Sequence, residues 1–280
     1  MPVRSSIGAV VLATVIVTTI AAARAHDETK YPDWSGQWLR TGGIQWDPTK
    51  PIGRGQQAPL TPEYQAIFEA SLADQALGGA GNDPRFACLP VGMPRLMSVI
   101  FPMEFIFTPK TTYILFENNM PRRIYTDGRS WPDHPEPAFA GYSIGKWIDA
   151  DADGRYDMLE VETRHLKGPR TYEGSGLPLH KDNQTIVKER IYLDKTNPDI
   201  LYDEITTIDH ALTRPWTVMK NYRRNLDPLA DWPEYICNER IPFVRVGTED
   251  YRVGEDGHLM PTRENQSPPD LRYFAQPPKK

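Results

Sequence analysis

From Leu96 to Tyr222 apolar and polar positions mostly alternate with a period of two, the pattern of strands that are buried on one face. The alternation predicts strands at Leu96–Ile100, Met103–Thr108, Thr111–Glu117, Arg122–Thr126, Ser143–Ile148, Met158–Arg164, Thr185–Leu193, Ile200–Ile208 and Trp216–Tyr222. An earlier segment, Asp33–Arg40, reads as a first strand built around Gly36-Gln37-Trp38. Thr108-Pro109-Lys110, the stretch from Glu117 to Pro121 and that from Leu193 to Asp199 have the composition of hairpin connections. One segment changes period. Thr61 caps, Pro62 opens and Glu63 favours a helix over about 62–77, with Tyr64, Ile67, Phe68 and Leu72 on one face and Gly78-Gly79 at its end. The fold class is therefore mainly β. Residues 26–250 should form a single antiparallel barrel-like or strongly curved sheet domain, with one N-terminal helix and long loops. The loops Ser130–Ala140 and Lys167–Asn183 are long enough to act as binding lids, and residues 251–280 read as a polar, Pro-rich tail.

Within this β pattern, residues 149–160 stand out. They read D-x-D-x-D-G-x-x-D-x-x-E, the layout of a twelve-residue Ca²⁺ loop. Asp149, Asp151 and Asp153 place oxygens at alternate positions, Gly154 permits the sharp turn, and the Arg155 carbonyl and Asp157 follow. Glu160 would close the site. The flanks alternate as strands, so the loop reads as a hairpin clamp and not as an EF-hand, and in a hairpin Glu160 is the ligand least well placed. Without a cation the same residues make a solvated acidic turn.

The N-terminus bears on the compartment. Arg4, the uncharged apolar run Ile7–Ala22 and Ala23-Arg24-Ala25 have the layout of a signal peptide over residues 1–25. The expected location is periplasmic or secreted, with His26 leading the mature chain and no further membrane span. An N-terminal His binds copper through its amine and ring when a second His lies nearby. Two cysteines, Cys88 and Cys237, suit one disulfide in an oxidising compartment, worth up to ~5 kcal/mol on the chain-entropy model. Two buried thiols are the other reading. Without Arg4 and Arg24 the balance is 30 basic to 37 acidic residues, and no basic stripe suits a nucleic acid or an anionic membrane.

Candidate chemistry is sparser. The six histidines form none of the contiguous zinc motifs. Gly141-Tyr142-Ser143-Ile144-Gly145 has the letters of a nucleophile elbow but leads into a strand. Glu104 lies in an apolar strand, where a carboxyl would suit acid–base work unless alternation turns it to solvent. Tyr142 and His180 sit on or beside the long loops, and His210 follows a long strand. These four are the candidate catalytic set. Arg122 and Arg123 are candidate binders of an anionic group or, alternatively, surface salt-bridge partners.

The Gly36-Gln37-Trp38 start resembles the first strand of calycin (lipocalin-like) barrels, and this implies that Trp38 closes the barrel floor against a late-strand Arg223 or Arg224. A wider set of segments resembles a large, largely uncharacterised family of secreted bacterial proteins: Trp34-Ser35-Gly36-x-Trp38, Asp127-Gly128-Arg129, Gly141-x-Ser143-x-Gly145-x-Trp147, Leu159-x-Val161-Glu162-Thr163 and Thr213-Arg214-Pro215-Trp216-Thr217. That resemblance implies secretion and no particular activity. Where this chain carries its acidic loop, the family has a short turn. Together these readings give the expectation of a secreted, Ca²⁺-stabilised barrel with a cavity for a hydrophobic or aromatic small molecule. They lean to an acid–base lyase, isomerase or hydrolase, with a non-catalytic binding protein or an envelope interaction domain as the alternatives.

Overall fold

The structure, a computed structural model, describes residues 28–51, 58–98, 100–232, 235, 237, 243–254, 257–263 and 265–269. The expected signal peptide, His26 and the end of the tail lie outside them. Nine strands close into a barrel in sequence order: β1 (Gln37–Arg40), β2 (Met103–Phe107), β3 (Thr111–Phe116), β4 (Asn119–Tyr125), β5 (Tyr142–Ile148), β6 (Met158–Arg164), β7 (Ile186–Leu193), β8 (Ile200–Ile208) and β9 (Trp216–Arg224). Closure comes from antiparallel pairing of β1 with β9, Trp38 opposite Arg224 and Arg40 opposite Tyr222. A closed barrel leaves no strand edge unpaired.

Two expectations are corrected. Pairing is antiparallel except between β4 and β5, which run parallel through only Ile124–Ser143 and Tyr125–Ile144. The long connection over residues 126–141 makes this possible, since a parallel step cannot be joined by a tight turn. The described residues of Leu96–Ile100 form no strand: Arg95–Ser98 is a 3-10 turn whose four residues are all buried. Its apolar content reflects burial under the barrel rim, which period-two reading cannot distinguish from a strand.

At one end of the barrel an aromatic floor fills the lumen. Trp34 packs on Phe105 and Trp147 at 4.9 and 5.2 Å between ring centres, and Tyr31 packs edge-on against Trp147 at 5.1 Å. The β5–β6 hairpin carrying the acidic loop lies at this end. The long β6–β7 connection and the β8–β9 turn lie at the other, where Trp46, Tyr172 and Trp216 cover the mouth with ring centres 5.1 and 5.2 Å apart. The α-helix α1 (Pro62–Ala76) starts at Thr61, whose hydroxyl accepts the Tyr64 amide. It buries Tyr64, Phe68 and Ser71, leaving Ile67 exposed, and bonds Ser71 Oγ to the Ser175 carbonyl of the β6–β7 connection.

A second sheet, β10 (Phe243–Val246), β11 (Glu249–Val253) and β12 (Leu259–Pro261), follows the barrel. Residues expected as the start of a tail therefore form strands. Tyr251 is buried, which the polar, Pro-rich composition concealed, and Phe243 packs on Phe86 at 4.8 Å. Cys88 and Cys237 form a disulfide with Cα atoms 5.7 Å apart, joining the chain beyond the barrel to the segment before β2.

Candidate functional site

Strand alternation that places apolar side chains in the lumen also places charged ones there. Val187, Glu189 and Ile191 share the inner face of β7; Leu201, Asp203, Ile205 and Thr207 that of β8; and Trp216, Val218, Lys220 and Tyr222 that of β9. Arg122 on β4 reaches Glu189 on β7 across two intervening strands, so their ion pair spans the lumen. Arg122 Nη1 donates to Glu189 Oε1 at 2.7 Å and Nη2 to Thr163 Oγ1 at 2.8 Å. Ser143 and Thr163 share a 2.8 Å hydrogen bond beside it.

Asp203 and Lys220 are cross-strand partners on β8 and β9, and both are wholly buried. Lys220 donates to the Trp46 carbonyl and lies 4.0 Å from that ring's centre. Burial, joined by the nearby Arg40 charge, brings the Lys220 ammonium down to about 7. Burial and the Glu189 carboxylate push Asp203 well above the carboxylate range. Neither carboxyl oxygen of Asp203 has a protein hydrogen-bond partner among the described residues. Tyr222 donates to the Met97 carbonyl at 2.5 Å, and burial, then Asp203, raises its phenol well above the usual value. A carboxyl raised by burial, a lysine brought down to about 7 and a raised phenol thus lie together in the buried interior of the barrel.

Two clefts open at the mouth end. One, about 600 Å³, is lined by Arg95, Ser98, Phe101, Asn118, Glu173 and Tyr235 among others. The Arg95–Ser98 turn is its wall toward the lumen, with Ser98 lining the cleft and the Met97 carbonyl meeting Tyr222 inside. Arg95 is fixed by Asp83 at 2.7 Å and Thr171 at 2.8 Å. The other cleft, about 880 Å³, lies between α1, the β6–β7 connection and the second sheet, and includes Tyr64, Arg170, His180 and Lys181.

The four residues singled out for catalysis do not converge as one set. Glu104 is on the opposite face of β2 from buried Met103 and Phe105, so it points outward. Tyr142 packs against Tyr125 and Trp131 at 4.9 and 6.0 Å. His180 and His210 do meet, at 5.6 Å between rings, with Asp182 between them. Of the two arginines, Arg122 is the buried lumen cation and not a surface partner, whereas Arg123 is exposed over the Tyr113 ring. The residues missed were Glu189, Asp203 and Lys220. Each alternates in phase with Val, Leu or Ile on its strand, and that phase was the readable signal.

In the acidic loop, Asp149, Asp151 and Asp153 bring one carboxylate oxygen each to within 4.8 Å of one another. Asp149 accepts the Gly154 amide at 2.9 Å, Asp153 that of Arg155 at 2.8 Å, and Asp157 that of Ala150 at 2.7 Å. Gly154 has φ +90°, which a side chain would strain. Glu160 lies further along β6, opposite Lys146 and 3.8 Å from Arg190, so the strand ladder carries it away from the loop. No helix among the described residues is long and apolar enough to cross a membrane. No protein-family model, curated protein or solved structure matches the chain.

Proposed function

We propose that this chain is an exported, Ca²⁺-stabilised barrel protein that takes a hydrophobic or aromatic small molecule into its lumen and acts on it by acid–base chemistry, as a lyase, isomerase or hydrolase. The observation that carries the reading is the Asp203–Lys220 pair. Burying two ionisable groups side by side costs desolvation free energy, and strongly perturbed buried groups cluster at functional sites. A lysine near 7 is suited to accept a proton at neutral pH, and a carboxyl that burial makes hold its proton more tightly is suited to donate one. Arg40 and the Arg122–Glu189 pair supply the field that polarises a bound carbonyl or carboxylate. Entry is assigned to the 600 Å³ cleft, with the Arg95–Ser98 turn as the part that must move. The Arg224 contact with Trp38 supports kinship with calycin barrels. Membership of the secreted bacterial family rests on its motif residues, and the expected compartment is supported by the disulfide. The Ca²⁺ assignment rests on the loop motif and its turn geometry.

The cover of Trp46, Tyr172 and Trp216 over Lys220 supports a second reading, a binding protein that holds an aromatic ligand without turning it over. A thermal-shift screen of aromatic carboxylates, phenols and their esters separates the cases. At least one compound should raise the melting temperature of the wild type and not of Asp203→Asn or Lys220→Met. Consumption of that compound identifies the enzyme, and unchanged compound identifies the binder. A screen in which no compound distinguishes the wild type from the two variants would overturn the lumen as the site.

A further inference from the structure

A second constellation lies outside the lumen, where two turns distant in sequence meet. We propose that His180, Asp182 and His210 form a site for a divalent first-row transition-metal ion, of which Zn²⁺ is the type, at the rim of the 880 Å³ cleft. One donor atom from each residue lies within 4.8 Å of the others, so a single ion can reach all three. The Asp182 carboxylate sits between the rings, Oδ1 2.9 Å from His180 Nδ1 and Oδ2 2.6 Å from His210 Nδ1. Two imidazole nitrogens and one carboxylate oxygen make a borderline donor set. Ca²⁺ and Mg²⁺ favour all-oxygen shells, so this set selects a transition ion and leaves coordination positions open.

The backbone beneath is already fixed. Asp209 accepts the amide of His180 and the amide of Ala211, each at 2.9 Å, and the Thr185 hydroxyl at 2.5 Å. One buried carboxylate therefore ties the β6–β7 connection, which bears His180 and Asp182, to the β8–β9 turn, which bears His210. Arg170 donates to Thr185 at 2.8 Å, and the Tyr64 ring packs against His180 at 5.0 Å. Such support beneath the ligands holds a site in place before the ion arrives. Only side-chain rotation is then required to enclose an ion. Lys181 and Arg170 line the adjoining cleft, with Arg170 buried and bonded to Thr185. Contiguous zinc motifs do not reveal this site because its third ligand comes from another loop.

The test uses the full mature chain, stripped with chelator and titrated with Zn²⁺ by calorimetry and with Co²⁺ by visible absorption. The wild type should bind one Zn²⁺ here and give a Co²⁺ d–d band. His210→Ala, at an exposed position, and Asp182→Asn should each weaken Zn²⁺ by at least about tenfold and abolish the band. Asp151→Ala, in the acidic loop, should leave both signals intact. Wild-type affinity in His210→Ala and Asp182→Asn, or no Co²⁺ band in the wild type, would overturn the assignment.

Discussion

The guanidinium of Arg224 lies over the indole of Trp38, 4.5 Å from the ring centre. The same side chain donates to the carbonyls of Ser35, Asp33 and Pro198 and pairs with Asp199 at 2.9 Å. One residue of the last barrel strand thus clasps the chain entering the first strand and the β7–β8 turn. Truncation leaves several carbonyls unpaired and removes a cation from an aromatic face. Arg224→Ala should lower unfolding stability by about 2–4 kcal/mol in urea titration. Arg224→Lys should recover only part, since a point charge cannot serve a forked set of acceptors.

The Arg122–Glu189 pair makes a different prediction, because its cost is desolvation. Removing one partner strands a buried charge, so Glu189→Gln or Arg122→Met alone should cost about 3–5 kcal/mol. The double variant Arg122→Met, Glu189→Met should recover most of that loss. A double variant no better than the singles would show that Ser143 and Thr163, which also bond Arg122, carry the interaction.

These pairs show which parts of the molecule were legible in the sequence. Period-two alternation located β2, β3 and β5–β9 closely because each has one dry face. It did not reveal the parallel step at β4–β5, which depends on where a long loop returns. The resemblance to calycin barrels implied that Trp38 meets Arg223 or Arg224; Arg224 takes the place and Arg223 is exposed. The lumen charges Glu189, Asp203 and Lys220 are legible only from their phase with the apolar residues of their strands. Glu104 has apolar neighbours, but strand alternation turns it outward, the alternative the sequence left open, whereas Asp203 and Lys220 share the phase of the buried residues. The meeting of His180 with His210 depends on the Asp209 tether and has no local signature.

Lys220 gives a pH signature with a definite sign. Its ordinary value is 10.5 and its folded value is about 7. Between these limits the unfolded chain holds a proton that the folded chain has released, so stability rises with pH. The slope is at most ~1.4 kcal/mol per pH unit. The contribution is fully present above the ordinary value and lost as pH falls toward 7. The stability difference between the wild type and Lys220→Met should therefore shift in favour of the wild type from pH 7 to 10, in denaturant titrations at fixed ionic strength. A difference independent of pH would mean that Lys220 is charged in the fold.

The acidic loop yields the most direct test of a cation. Its carboxylates already accept loop amides, so the backbone is near its bound shape without the ion, and binding need not be linked to a large rearrangement. The loop is anchored at both sides. The Asp157 amide donates to the Ile148 carbonyl at 2.8 Å, and the Tyr156 amide to the Lys30 carbonyl at 2.7 Å. Tyr156 also packs on Tyr31 at 5.2 Å, in the aromatic floor. A Ca²⁺ ion that relieves repulsion among Asp149, Asp151 and Asp153 therefore stabilises the barrel end as well as the hairpin. Stability should rise by about 2.7 kcal/mol at a hundredfold excess of free Ca²⁺ over the dissociation constant. Asp151→Ala should remove most of that response. Glu160→Ala should leave it unchanged, because Glu160 sits in the strand ladder near Arg190. Mg²⁺ should substitute poorly, as it demands a tighter octahedral shell than this loop offers. Melting curves that stay the same with Ca²⁺ and with chelator would reduce the loop to an acidic turn held by its own amide bonds.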